Sequence, residues 1–161
     1  MENKSELSSQ YPSVDLAYEY VKSSYEVMAS RFESANARIQ NLLTWAIGIT
    51  AIIPLFNKLI GETNGLKSVW FALVLGAFVA VVIVGIIAQR TGGIALADPK
   101  ILYEKHLHYN QWEFKKNQLF WAGKQFHLNK QAIETKCRYI DIMTILLGLE
   151  IAFAFVKVIV S

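Results

Sequence analysis

Residues 68–89 read "SVWFALVLGAFVAVVIVGIIAQ", 22 consecutive positions without one charged side chain. A helix needs about 20 apolar residues to cross the hydrocarbon of a bilayer, and in lipid the backbone must satisfy its own hydrogen bonds. This stretch therefore predicts a membrane-spanning helix and sets the frame for everything around it. Composition agrees: 18% of the 161 residues are charged, and mean hydropathy is +0.30. A soluble domain carries about 25% charged residues. The polar start, "MENKSELSSQYPS", has no apolar core and does not read as a cleavable signal. A lone cysteine, Cys137, leaves no internal disulfide framework and fits a reducing compartment.

Two further segments read as spans. Residues 42–60 hold Pro54, Asn57 and Lys58 near one end, where Lys58 can snorkel to the interface. Pro54 in that position is expected to end the helix rather than hinge it. Residues 142–160 carry Glu150 in their middle and Lys157 near their end. Lys and Arg counts orient the three passes. Nine fall between the second and third spans, from Arg90 to Arg138, against Lys67 and the snorkelling Lys58 between the first two. The positive-inside rule then places the long segment and the N-terminus in the cytoplasm and the C-terminus outside, as in a multi-pass protein of an inner membrane. Trp45, Trp70 and Tyr139 fall near the proposed interfaces.

The polar side reads as long helices. Val14, Tyr18, Val21, Tyr25, Met28, Phe32, Ala35, Ile39, Leu42 and Ala46 recur at alternating spacings of four and three. Such a heptad seam predicts a coiled-coil-like helix that runs from cytoplasm into the first span. Asp98-Pro99 reads as an N-cap with proline at the first helical position. From there the chain carries two apolar ladders, Trp112, Leu119, Phe126, Ile133 and Ile140 on one side, Leu107, Phe114, Trp121 and Leu128 on the other. At 100° per residue they lie roughly 140–160° apart. One can pack on the N-terminal helix; the other is expected to need an oligomer or partner interface. The predicted order is a disordered N-terminus (1–13), an amphipathic cytoplasmic helix (14–41), a span (42–60), an outer loop (61–67), a span (68–89), an inner loop (90–98), a second cytoplasmic helix (99–141) and a third span (142–160). The fold class is an all-α membrane protein with three transmembrane helices and a coiled-coil-like bundle. Cytoplasmic helix followed by span occurs twice, a loose internal repeat without residue-level identity.

An ionisable residue inside a span costs roughly 2.5–3.5 kcal/mol on insertion scales and normally faces a bundle interior or water. Glu150, with Lys157 on the same face, is therefore a candidate pore-lining or gating group, and Thr50 and Asn57 share a face of the first span that can line water. A neutral, hydrogen-bonded packing role for Glu150 is the competing reading. Ser68, Ala72, Gly76 and Ala80, and Thr144, Gly148 and Ala152, form small-residue stripes that predict close helix packing. His106 and His108 are two apart and point to different faces, so they do not make a metal pair. Lysines interleaved with Trp112, Phe114, Phe120 and Trp121 read as solvated or lipid-facing, with the aromatics filling a bundle. Stacking on a nucleotide is the weaker reading, and nucleic acid is not expected. No nucleophile–base set, phosphate loop or paired metal ligands appears, so neither an enzyme nor a cofactor is expected.

A long amphipathic helix, a membrane hairpin and a second long cytoplasmic helix are also the parts of a bacterial family. Residues 14–139 resemble the SLATT-type effectors of phage-defence systems, most of all in "YEVMASRFESANARIQNLLTWAIGITAII" (25–53). The third span is an addition to that family's two-span pattern. The resemblance implies a small oligomeric inner-membrane protein that forms a pore or disrupts the membrane when a trigger, a protein or a nucleotide-type ligand, meets its cytoplasmic helices. A non-conducting membrane anchor or adaptor that docks a soluble partner is the alternative.

Overall fold

The computed structural model describes residues 12–60, 69–95, 100, 104 and 108–160, with side chains of 56–60 and 160 left aside. Residues 1–11 and 61–68, the latter holding the expected outer loop, and Asp98, Pro99, His106 and Leu107 lie outside the described residues. Three long helices carry the described chain, α1 (Val14–Ile60), α2 (Val69–Arg90) and α3 (Gln111–Val160). Among the described residues there is no strand. All three helices are long and apolar enough to cross a membrane. Contacts divide the chain into two units, residues 1–32 with 93–133 and residues 33–92 with 134–161.

Burial along α1 follows the apolar seam. Val14, Met28, Ala35, Ile39, Ala46 and Ile53 are buried, and Tyr18, Val21, Tyr25, Phe32 and Leu42 are half-buried. Pro54 does not end this helix, which continues to Ile60. A proline inside a helix removes the N–H that would serve the carbonyl four residues earlier, here that of Thr50.

In the first unit α1 and α3 run parallel. Tyr25 donates its hydroxyl to the Ala122 carbonyl at 2.9 Å and stacks at a tilt on Trp121. Lys115 bonds Asp15 at 2.7 Å, which raises its pKa. Burial raises that of the Tyr25 phenol. Asp98 and Pro99 lie outside the described residues; Lys100 and Glu104 beyond them are helical, and the expected single helix is broken at 108–110 before α3. A capping box opens the helix at Gln111: the Glu113 N–H donates to Asn110 Oδ1 at 2.8 Å, and the Asn110 N–H reaches Glu113 Oε2 at 3.4 Å. These bonds satisfy N–H groups that the first turn would otherwise leave open.

The second unit packs parts of all three helices. Lys136 touches Ala88, Met143 and Leu43 surround Gly85, and Phe153 lies 6.4 Å from Trp70. As the α2 number falls from 88 to 70 its partner in α3 rises, so α2 is antiparallel to α3, while Asn36–Lys136 and Thr50–Glu150 contacts make α1 and α3 parallel here too. Ala35, Ile39, Ala46, Val81, Ala88, Ile140 and Met143 form its core. Gly92, with φ of 66°, takes the left-handed conformation that closes the C-terminus of α2.

The small-residue stripes do not lie on the contacts between this chain's own helices. Ala72, Gly76, Gly148 and Ala152 are exposed in the chain and Ala80 is half-exposed. A methyl group added at Gly76 or Gly148 would meet nothing within 4 Å. The helices instead approach at Ala77, Gly85 and Ala88 on α2, where a methyl group at Gly85 would stand 2.8 Å from Leu43 Cδ2 and 3.1 Å from Met143 Cε. A regular stripe of small residues marks where helices can approach, and side-chain packing on the other face decided where they do.

Candidate functional site: a buried ionisable stripe on α3

Ile140 of the first apolar ladder is buried in the core of the second unit, but the ladders do not define the main buried face of α3. That face lies between them, at Ala122 and Asn129 in the first unit and at Lys136, Met143, Glu150 and Lys157 in the second. These positions are seven apart, a spacing of about 10 Å along a helix rising 1.5 Å per residue. Four of the six are polar: Asn129 is 1% exposed, Lys136 1%, Glu150 0% and Lys157 2%. Phe114 and Trp121, expected at an oligomer or partner interface, flank this face half-buried, Trp121 against Tyr25. Leu128 is exposed, and Leu107 lies outside the described residues.

Asn129 clamps the backbone of Ala95. Its Oδ1 accepts the Ala95 N–H at 2.8 Å, and its Nδ2 donates to the Ala95 carbonyl at 3.3 Å. A buried amide paired on both sides in this way fixes the segment that follows α2 within the first unit.

Lys136 is buried at a three-helix junction. Its ammonium donates to Asn36 Oδ1 on α1 at 3.0 Å and to the Ala88 carbonyl of α2 at 2.9 Å. Ala88 lies in the last turn of α2, where carbonyls lack helical donors and the helix dipole is negative. The junction suits a cation for that reason, yet burial still lowers the Lys136 pKa from its usual 10.5.

Glu150 projects into the same unit. Its Oε1 accepts the Thr50 hydroxyl at 2.8 Å, while Oε2 is buried without a hydrogen-bond partner. Thr50 is half-buried and belongs to the site as expected, and Lys157 is buried one heptad beyond Glu150. The side chain of Asn57 lies outside the described residues. Between Lys136 and Glu150 the stripe is interrupted by Met143, which with Leu43 closes on Gly85 in the unit's apolar core.

Lys136 and Asn129 were not singled out by sequence reasoning. Their signal was present, as polar residues in the heptad register of Glu150, but apolar ladders drew the reading to other faces. Together, fold and stripe define an all-helical protein with three helices fit to span a membrane and ionisable groups enclosed by them. No family model, curated protein or solved structure matches the chain.

Proposed function

We propose that this chain is a small membrane protein that alters ion permeability, with the Lys136–Glu150–Lys157 stripe as the path and the Met143 layer as its closed gate. The observation that carries the reading is the stripe itself. Ionisable groups within spanning helices are costly, and they mark ion or proton pathways by default. Glu150 and Lys157 are buried within the third span and Lys136 at its cytoplasmic end, with apolar packing at Met143 between Lys136 and Glu150. A dry constriction of this kind gates by excluding water. The cytoplasmic parts of α1 and α3 pack as a coiled-coil-like pair and assemble with further copies. A protein or nucleotide-type trigger that prefers the open arrangement shifts the equilibrium in proportion to that preference. The Lys and Arg excess places residues 90–141 in the cytoplasm, and the antiparallel run of α2 supports three alternating passes. The resemblance to SLATT-type effectors supports a bacterial inner membrane and a setting in antiphage defence.

The test is membrane potential, read with a voltage-sensitive dye in bacteria expressing the wild type, Met143→Ser or Glu150→Gln. Met143→Ser wets the constriction and is expected to depolarise cells more than the wild type, and adding Glu150→Gln is expected to reverse that gain. Inserted protein that leaves the potential unchanged in all variants refutes conduction. A non-conducting anchor is then favoured, and one observation already supports it: Thr50, Asn36 and Ala88 spend their polar groups on ties within the chain. Such ties hold membrane helices together without any path. Size in mild detergent separates the readings, since the effector is expected as a homo-oligomer and the anchor as a monomer.

A further inference from the structure

We propose that Glu150 is a proton-binding site, held at rest as the neutral acid with its proton on Oε2. The proposal rests on the reading that the three helices span a bilayer, and it does not depend on conduction.

The two carboxyl oxygens differ in their surroundings. Oε1 is served by the Thr50 hydroxyl, whereas Oε2 is buried with no donor. An ionised carboxylate spreads its charge over both oxygens and needs donors at each. A neutral acid needs fewer, because its charge is gone and one oxygen carries hydrogen. A fully buried, half-served carboxylate therefore costs several kcal/mol more than the acid, and the group responds by neutralising.

The neighbouring helices supply little to offset that cost. The described part of α1 within the span, residues 42–55, contains no titratable side chain, and neither does α2 from Val69 to Gln89. On α3 the ionisable residues of this face are Lys157, about 10 Å along the axis, and Lys136, about 21 Å the other way, at 1.5 Å rise per residue. Lys136 is bonded to Asn36 and Ala88. Lys58 and the charged residues of the outer loop lie outside the described side chains. Pro54 adds a second feature. It deprives the Thr50 carbonyl of its regular helical donor, so the residue that serves Oε1 also offers an acceptor one turn before the proline.

Infrared difference spectroscopy of the full chain in lipid vesicles tests this directly. The C=O stretch of a protonated carboxylic acid is well separated from carboxylate bands and shifts in heavy water. The spectrum of wild type minus Glu150→Gln is expected to show this band at neutral pH. Thr50→Val removes the donor at Oε1, and the band is expected to persist there but move to higher frequency. That shift assigns the band to Glu150 even if the Gln variant fails to insert. Two results overturn the proposal: no protonated-acid band at neutral pH, or a band that Thr50→Val leaves in place. Membrane potential plays no part in this readout, so loss of conduction leaves the proton site standing, and loss of the band leaves conduction standing.

Discussion

Replacing Lys136 with Met removes the ammonium at the three-helix junction while keeping its length and most of its volume. The change leaves the buried Ala88 carbonyl and the part-buried Asn36 Oδ1 without the donor that now stands 2.9 and 3.0 Å away. Each unsatisfied buried group costs about 1–3 kcal/mol, and hydrogen bonds from a charged donor lie at the upper end. Against this, Met needs no solvation, and relief from burying a charge offsets part of the loss. The net expectation is a destabilisation of about 2 kcal/mol, near a 30-fold change in the folding equilibrium. Adding Asn36→Leu removes one stranded acceptor and is expected to recover about 1 kcal/mol. Reversible denaturation in mixed micelles, followed by helical circular dichroism, measures both. The pH dependence supplies a second arm. Burial lowers the Lys136 pKa in the folded chain below its usual 10.5. Between the lowered value and 10.5 the unfolded chain binds more protons, so wild-type stability rises with pH through that window. Below the window both states are protonated and this dependence vanishes. Stability of the wild type relative to Lys136→Met should therefore increase on alkaline titration and be flat at neutral pH. A Met variant as stable as the wild type, or a difference that shrinks with rising pH, refutes the account of the junction.

Two further predictions separate close packing from open surface and test the start of α3. Gly85→Leu is expected to destabilise by more than about 2 kcal/mol, because a side chain there must displace Leu43 and Met143. Gly76→Ala and Gly148→Ala should be neutral or stabilising by up to about 1 kcal/mol, since alanine favours helix and meets nothing nearby. The same denaturation assay reads all three. Asn110→Ala removes the capping box and should cost about 1 kcal/mol, with faster amide exchange confined to the first turn of α3.

Much of the architecture was legible before any contact was known. Uncharged length alone specified α2, and five of the six buried residues of α1 fall on the seam from Val14 to Ala46, whose other members are half-buried. That face could be read because much of α1 is polar enough for apolar positions to stand out. Helix ends were less legible. Asn110-x-x-Glu113 opens a helix where unbroken helix from Pro99 was expected, because a local capping box does not announce itself inside a stretch without proline. Pro54 looked like a stop, yet a proline's missing hydrogen bond can be absorbed where neighbouring helices hold the chain, and α1 runs on to Ile60.

The candidate site divides in the same way. Glu150, Lys157 and Thr50 were named from sequence because charge and hydroxyl groups stand out in an apolar span. Their enclosure by the chain's own helices, and the junction at Lys136, belong to the tertiary structure. The physical reason is that periodicity reports contrast with the solvent. In water the apolar face turns inward. In a span every face is apolar enough for lipid, and the enclosed face is the one carrying groups that lipid will not accept. Sequence by itself determined three long apolar helices and the ionisable residues within them. Tertiary structure decided which face of α3 and which glycine of α2 meet the other helices, because that choice depends on side chains more than 30 residues apart finding partners: Asn129 with Ala95, Lys136 with Ala88, and Glu150 with Thr50.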